Sequence, residues 1–415
     1  MQRTNVIELR PTKGQKKILK EMMYLSSCVY NMTNYIVRNQ FFKKEKISSF
    51  YDLQQKLQLK DDYQMLGRSY ALPRIQIYGE TNSARFKLIK SKNQKCVGLP
   101  KYYKNRKTNT TIPSYLVIDN SQYSVKTNHV EIPMSRLMRK KYNPKQTFKI
   151  KYNGILNHKG NQQRGQIHFK DNKFYMYQSV EVKDTQLVKS KVKVGLDLGA
   201  KRIFGLYINN GYEKVIGRSR FFKQWKYWTR LISKEQQYLS TFNKKVSNNL
   251  LKLYRKRTKY QNNLFNNLTL GLFRKLNKNK VSEMFVGDVT NIRNGNKKKV
   301  SKSHLNKIGR KGITKSNQMI NNYWSFDKLY QKLQNKSEEY GIALTKVDES
   351  YTSMTCPKCG FAHENNKQDR DFVCKSCGYC NDRDIVGAKN IYTKGMYGSL
   401  QNIHWNEIVP LGVSV

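Results

Sequence analysis

Apolar positions in the first 95 residues recur with roughly helical spacing. After a short strand-like stretch, NVIELR, and the pair Pro11-Thr12, the residues Leu19, Met22, Met23, Val29, Tyr30 and Ile36 share one face, which predicts a helical module. From Gly98 to about Lys183 the period shortens to two. TFKIKY and GQIHFKDNKFYMYQSVEVK alternate apolar with polar residues, and Asp171-Asn172 lies between two such runs as a hairpin turn would, predicting a small sheet or barrel. The run KVKVGLDLGAKRIFGLYI (191–208) reads as two strands joined by a Gly-bearing turn. Residues 218–270 contain neither Gly nor Pro, and Tyr260, Leu264 and Leu268 recur every fourth position, so long helices are expected there. A strand MFVGDV (284–289), a polar segment RNGNKKKVSKSHLNKIGRKG, a helix around Trp324, Phe326, Leu329 and Leu333, and a strand IALTKV then alternate as an α/β layer does.

Charge changes the picture most. Against 28 Asp plus Glu stand 79 Lys plus Arg, a net +51 over 415 residues, and a chain so basic needs a polyanionic partner. A disordered basic tail is excluded, because 38% hydrophobic residues with 28 Tyr and 17 Phe supply apolar surface for packed domains. No apolar run approaches the ~20 residues that cross a bilayer, and MQRTNVIELR lacks the apolar core of a signal peptide. The expectation is a multidomain, cytoplasmic nucleic-acid-binding protein with no membrane role.

Five of the seven cysteines fall within 25 positions, while Cys28 and Cys96 stand apart. CPKC (356–359) and CKSC (374–377) are two knuckles 14 residues apart, each followed directly by glycine, Gly360 and Gly378. Glycine lets the backbone turn so that amides face thiolates, and four sulfurs close a tetrahedral site, so Cys356, Cys359, Cys374 and Cys377 are expected to hold one structural Zn²⁺ with Cys380 outside it.

Four acids stand where strands end or helices begin. Asp197 alternates with Leu196 and Leu198 in GLDLGA, where a carboxylate is costly without a partner. Asp288 closes MFVGDV, Glu349 follows IALTKV, and Asp384 begins a short amphipathic helix in NDRDIVGAKNI, where it would also serve as a cap. Hard oxygen ligands converging at one sheet edge suit Mg²⁺. None of the six histidines pairs with another at ligand spacing, and each is expected at the surface or hydrogen-bonded.

GLDLGAKRIFGLYI, FVGDVTNIR, VDESYTSMTCPKCG and FVCKSCGYCNDRDIVGAKNI, in that order, resemble the RuvC-like nuclease and zinc-ribbon core of the TnpB family of RNA-guided nucleases and of the related miniature type V-F CRISPR effectors. The resemblance covers roughly residues 190–393; NVIELRPTKGQKKIL and the VYN triplet look like the family's opening in style only. It implies an RNase H-like α/β nuclease domain with a zinc ribbon, an N-terminal β-barrel wedge domain and a helical recognition module. The implied division is 1–95 for the first wedge strand and the recognition module, 96–188 for the wedge, 189–350 for the nuclease domain, 351–380 for the ribbon, and 381–415 for the last nuclease motif and tail.

The activity so implied is RNA-guided DNA endonuclease chemistry with two Mg²⁺, in which Asp197 and Asp384 match the first and last metal-binding acids. The partners are a guide RNA and a target DNA with a short flanking motif, and the location is the prokaryotic cytosol. The middle acid departs from the family pattern, which carries Glu after an apolar strand where this chain has Gly287-Asp288. Glu349 is favoured for that role, with Asp288 the alternative. Lys297, Lys298, Lys299, Lys302, Arg310 and Lys311 lie beside these acids in sequence and are expected to form a lid touching nucleic acid. A recognition module of about 90 residues is short for a ~20 bp heteroduplex, so a type V-F effector would place two copies on one guide RNA, whereas a TnpB would act alone. The competing reading is a nuclease-inactive RNA-guided DNA binder, acting as a repressor or transposition accessory.

Overall fold

Strand and helix periods in the sequence appear as separate layers in the computed structural model, which describes residues 1–90, 98–142, 148–199, 202–217, 220–289, 325–363 and 370–400. The chain divides into two units, Met1–Lys183 and Asp184–Val415. Among the described residues no helix is long and apolar enough to cross a membrane.

In the first unit, β1 (Gln2–Leu9) leads into α1 (Lys13–Phe42), whose start is fixed by a reciprocal cap. Gln15 N donates to Thr12 Oγ1 and Thr12 N donates to Gln15 Oε1. Helices α2 (Phe50–Leu57), α3 (Asp61–Leu66) and α4 (Arg68–Lys90) complete the helical part. Strands β2 (Leu116–Ile118), β3 (Ser124–Val125) and β4 (His129–Ile132), helix α5 (Arg136–Tyr142), and strands β5 (Phe148–Asn153), β6 (Asn161–Lys170) and β7 (Lys173–Glu181) follow. The strands form one sheet ordered β2-β6-β7-β1-β5-β4-β3. Asp171 and Asn172, at φ 55° and 60°, make the expected two-residue turn between β6 and β7, in the left-handed region that Asp and Asn tolerate best after Gly.

This sheet is a curled half-barrel, within the small sheet or barrel that the alternation predicted and open where the resemblance implied a barrel. Its edge strands β2 and β3 do not pair with each other, because helices complete the core instead. Leu19, Met22, Val29 and Leu66 pack in one cluster with Leu116, Ile150 and Met176.

In the second unit β8 (Lys193–Leu198), β9 (Phe204–Ile208) and β10 (Glu213–Ile216) are antiparallel, and β11 (Glu283–Gly287) and β12 (Ala343–Val347) add in parallel beside β8, giving the order β10-β9-β8-β11-β12. Helices α6 (Arg220–Thr241) and α7 (Asn248–Lys278) occupy the Gly- and Pro-free stretch, and α8 (Phe326–Tyr340) and α9 (Arg383–Tyr397) complete the layer. Successive side chains of a strand point to opposite faces. Val194, Leu196 and Leu198 of β8 therefore enter the core with Phe265, Leu272 and Phe273 of α7 and Leu329 and Leu333 of α8. Gly195 and Asp197 face the other way, where α9 packs with Ala388, Ile391 and Tyr392 against Tyr207, Phe285 and Val347. A side chain at Gly195 or Gly205 would collide with the α9 backbone at Ala388 and Asp384, so these glycines let the helix settle onto the sheet. A two-stranded ribbon, β13 (Asp371–Val373) with β14 (Cys380–Asp382), leads into α9.

Candidate metal centres

The four knuckle cysteines come together with ligand atoms mutually within 4.8 Å, a grouping that no other set of His, Cys, Asp and Glu attains among the described residues. Cys356 and Cys377 sulfurs lie 3.7 Å apart, Cys359 and Cys374 sulfurs 3.6 Å. A Zn–S bond of about 2.3 Å implies tetrahedral S···S edges of about 3.8 Å, so the cluster fits an ion of that size. Gly360 and Gly378 adopt φ 73° and 69°, turning the backbone inward, and Lys358 N donates to Cys356 Sγ at 3.4 Å. Cys380 lies outside the cluster on β14. His363, expected at the surface or hydrogen-bonded, is buried, edge-on between the rings of Phe361 and Phe372.

On the α9 face of the sheet, the acids predicted from sequence gather at the carboxyl ends of β8, β11 and β12. Asp197 sits over Gly387, where a Cβ would stand 2.8 Å from its Oδ2. Burial first, and the Asp384 carboxylate second, push Asp197 up to about 7. Asp384 lies in the first turn of α9. The capping role belongs to Asp382, which accepts from Asp384 N at 3.0 Å. Burial also raises Asp384, opposed by the Arg202 guanidinium, which donates to Asp384 Oδ2 at 3.3 Å and is ion-paired with Asp382.

Glu349 falls two residues beyond the end of β12. Its carbonyl accepts from Thr352 N at 3.2 Å and Thr352 Oγ1 at 2.8 Å. Burial, followed by Asp197, Asp288 and Asp348, lifts Glu349 to about 8, and its Oε1 is buried with no hydrogen-bond partner. That carboxyl fills the space a side chain at Gly287 would occupy. Asp288 stands at the margin, its carboxylate 3.8 Å from Lys346 Nζ and its amide donating to Val347 O at 2.7 Å. A buried carboxylate without partners is costly, and carboxylates raised by burial and by a neighbouring acid, as Asp384 raises Asp197 and Asp197 raises Glu349, are the kind of oxygen donors a hard divalent cation takes. Asp197, Glu349 and Asp384 lie near one another without closing to the spacing of the knuckle sulfurs, and Asp197 is the acid that both feels Asp384 and raises Glu349.

Sequence reasoning missed Arg202, Asp382 and Gly287. Arg202 directly follows GLDLGAK, and a cation close behind a strand-end acid was a usable signal. Gly287 was noticed only as a departure from pattern, and nothing local told which side chain it makes room for. Lys297, Lys298, Lys299, Lys302, Arg310, Lys311 and Trp324 lie outside the described residues.

Residues 326–391 match the family described as "Cas12f1-like, TNB domain", and residues 177–293 match one described as "Probable transposase". The chain is 25% identical, over 447 aligned positions, to the TnpB-like protein ORF457 of Acidianus two-tailed virus, covering 95% of this chain and 87% of that one. It is 39% identical over 69 residues to the CRISPR-associated endodeoxyribonuclease Cas12f1 of Sulfoacidibacillus thermotolerans, a likeness spanning only 16% of each protein. In fold it is similar to the protein of the cryo-EM structure of a Cas12f1–sgRNA–target DNA complex, with a TM-score of 0.57 at 16% identity over 92% of this chain and 83% of that one.

Proposed function

We propose that this chain, which belongs to the TnpB/Cas12f-like family, is an RNA-guided DNA endonuclease with an RNase H-like nuclease domain in which Asp197, Glu349 and Asp384 hold two Mg²⁺ ions. The observation that carries the reading is the Glu349 carboxylate, buried, unpartnered at Oε1 and raised by Asp197. Bound Mg²⁺ supplies activation of a water and stabilisation of the leaving 3′ oxygen of a phosphodiester. The protein's own residues set up that chemistry. Arg202 restrains Asp384 from one side, and Gly387 admits Asp197 from the other. Lys346 draws Asp288 outward, so Asp288 is a neighbour of the site and Glu349 its middle acid.

Cys356, Cys359, Cys374 and Cys377 hold a structural Zn²⁺ that rigidifies the turn leading from Glu349 and the strand leading to Asp384. The net charge of +51 supports a guide RNA and target DNA as partners. In that arrangement base pairing reads the target, and the protein holds backbone and a short flanking duplex motif. The half-barrel and helices of Met1–Lys183 take the wedge and recognition roles, and Lys297, Lys298, Lys299 and Arg310 touch nucleic acid. Two copies on one guide RNA are expected, and mass photometry of the complex reads that number.

The test is a cleavage assay with guide, matched target and Mg²⁺. Asp197→Ala, Glu349→Ala and Asp384→Ala each abolish cutting while guide and target binding persist, and Asp288→Asn cuts. An active Glu349→Ala beside an inactive Asp288→Asn overturns the choice of middle acid. An unmodified protein that binds its guided target and never cuts is the nuclease-inactive binder.

A further inference from the structure

Glu349 is held where nothing attracts it. Its Oε1 has no hydrogen-bond partner, and Asp197, Asp288 and Asp348 all repel the carboxylate. Left to itself such a group turns toward water. The restraint comes from the backbone on either side. Lys394 Nζ donates to Asp348 O at 3.2 Å, to Ser350 O at 2.7 Å and to Asp348 Oδ2 at 3.0 Å, so that its three protons clasp the two residues flanking Glu349. The Lys394 side chain is only 14% exposed, whereas that of Asp348 is 72% exposed, so the lysine is the fixed partner of this pair. One turn earlier on α9, Asn390 Nδ2 donates to Thr352 O and Thr355 O, both at 2.7 Å, pinning the chain between Glu349 and the first knuckle.

Asp384, Gly387, Asn390 and Lys394 are spaced three, three and four residues apart, which puts them on one face of α9. The same helix face therefore carries one acid, makes room for the second and grips the turn that presents the third. We infer that Lys394 is a positioning residue that sets the place of Glu349 in the acid cluster and thereby the affinity of that cluster for divalent cations. This rests on the reading of Asp197, Glu349 and Asp384 as a cation site.

Electrostatics and positioning make opposite forecasts, which gives the test its edge. Removing a lysine charge close to a cation site makes the site more attractive to a cation. Removing a positioning residue makes it weaker, by about tenfold or more for supports of this kind. Mn²⁺ binding to the full-length protein, followed by loss of the free-ion EPR signal, reads the difference. Lys394→Met weakens Mn²⁺ binding at least about tenfold, with zinc content unchanged and a thermal midpoint only a few degrees lower, and Lys394→Arg recovers most of the binding. If Lys394→Met does not fold, Lys394→Gln, which keeps a short donor pair and loses the charge, carries the same expectation. Wild-type or tighter Mn²⁺ binding by the folded neutral variant overturns the inference. Asp197→Asn separates the two levels: if it leaves Mn²⁺ binding intact, the cation-site reading falls and the inference with it. If Asp197→Asn loses binding and Lys394→Met does not, the positioning role alone falls.

Discussion

Gly287→Ala adds one methyl group at the most crowded point of the acid cluster. The position lies in β11, in ordinary strand backbone, so alanine meets no conformational obstacle there. Its Cβ would overlap Glu349 Oε1 and stand 2.8 Å from both Cδ and Cγ of the same side chain. Carbon atoms pack at about 3.5 Å or more, so the carboxyl must retreat by at least roughly 0.7 Å, and further at Oε1, or the strand must shift by as much. Displacements near 1 Å in a reacting geometry cost about 10²-fold in rate, whereas overpacking a core by one methyl costs about 1–3 kcal/mol of stability. Gly287→Ala is therefore expected to cut its guided target about 10²-fold more slowly, to need more Mg²⁺ for half-maximal rate, and to melt only a few degrees lower. Single-turnover cleavage across a Mg²⁺ titration, with thermal unfolding alongside, measures all three. A variant that cuts at the unmodified rate with the unmodified Mg²⁺ dependence refutes the reasoning, because Glu349 would then have been displaced without consequence.

Protons and cations compete for the same acids: with Asp197 raised to about 7 and Glu349 to about 8, Mn²⁺ affinity measured by calorimetry should rise as pH climbs from 6 to 8. The sign for stability is opposite, since carboxyls raised by folding favour the protonated fold, so the metal-free protein should lose thermal stability as pH rises from about 4.5 to 8. Elemental analysis should find one zinc per chain, and Cys374→Ser should lose it together with the cooperative melting of the ribbon. Guide-RNA affinity should fall steeply between low and moderate salt, as counterion release requires of a chain carrying +51; a flat salt dependence in filter binding contradicts that.

Local signals were legible and distant ones were not. The period-two runs of β6 and β7 and the Asp171-Asn172 turn could be read because strand alternation and turn chemistry act over a few residues. The knuckles could be read because Cys spacing and the glycine behind each pair determine where sulfurs point. Long helices were foreseen across 218–270, but not the break between Thr241 and Asn248, where Asn243 takes φ 52°. The curl of the N-terminal sheet without closure depends on helices covering it, which no strand pattern records. At the acid cluster, sequence placed Asp197, Glu349 and Asp384 near strand ends and a helix start. It could not show that Gly287 leaves room for Glu349, that Arg202 restrains Asp384, or that Asp382 takes the cap. The first two relations join segments more than 50 residues apart in the chain; the cap is local, but NDRD offers two acids for it and the spacing alone did not choose between them.

Arg202 and Asp384 are separated by 182 residues, and that distance has a meaning in time. A ribosome adding about 5–20 residues per second needs roughly ten to forty seconds to travel it. Throughout that interval the nascent β8 has no α9 to lie against, and Asp197 stands in water with neither Asp384 nor Gly387 beside it. The N-terminal half-barrel, meanwhile, has its whole sheet in hand and can already fold. A growing chain would thus complete the sheet of its first unit well before the acids of its second could gather, and on the proposed reading a polypeptide stalled between the two would carry no cutting site.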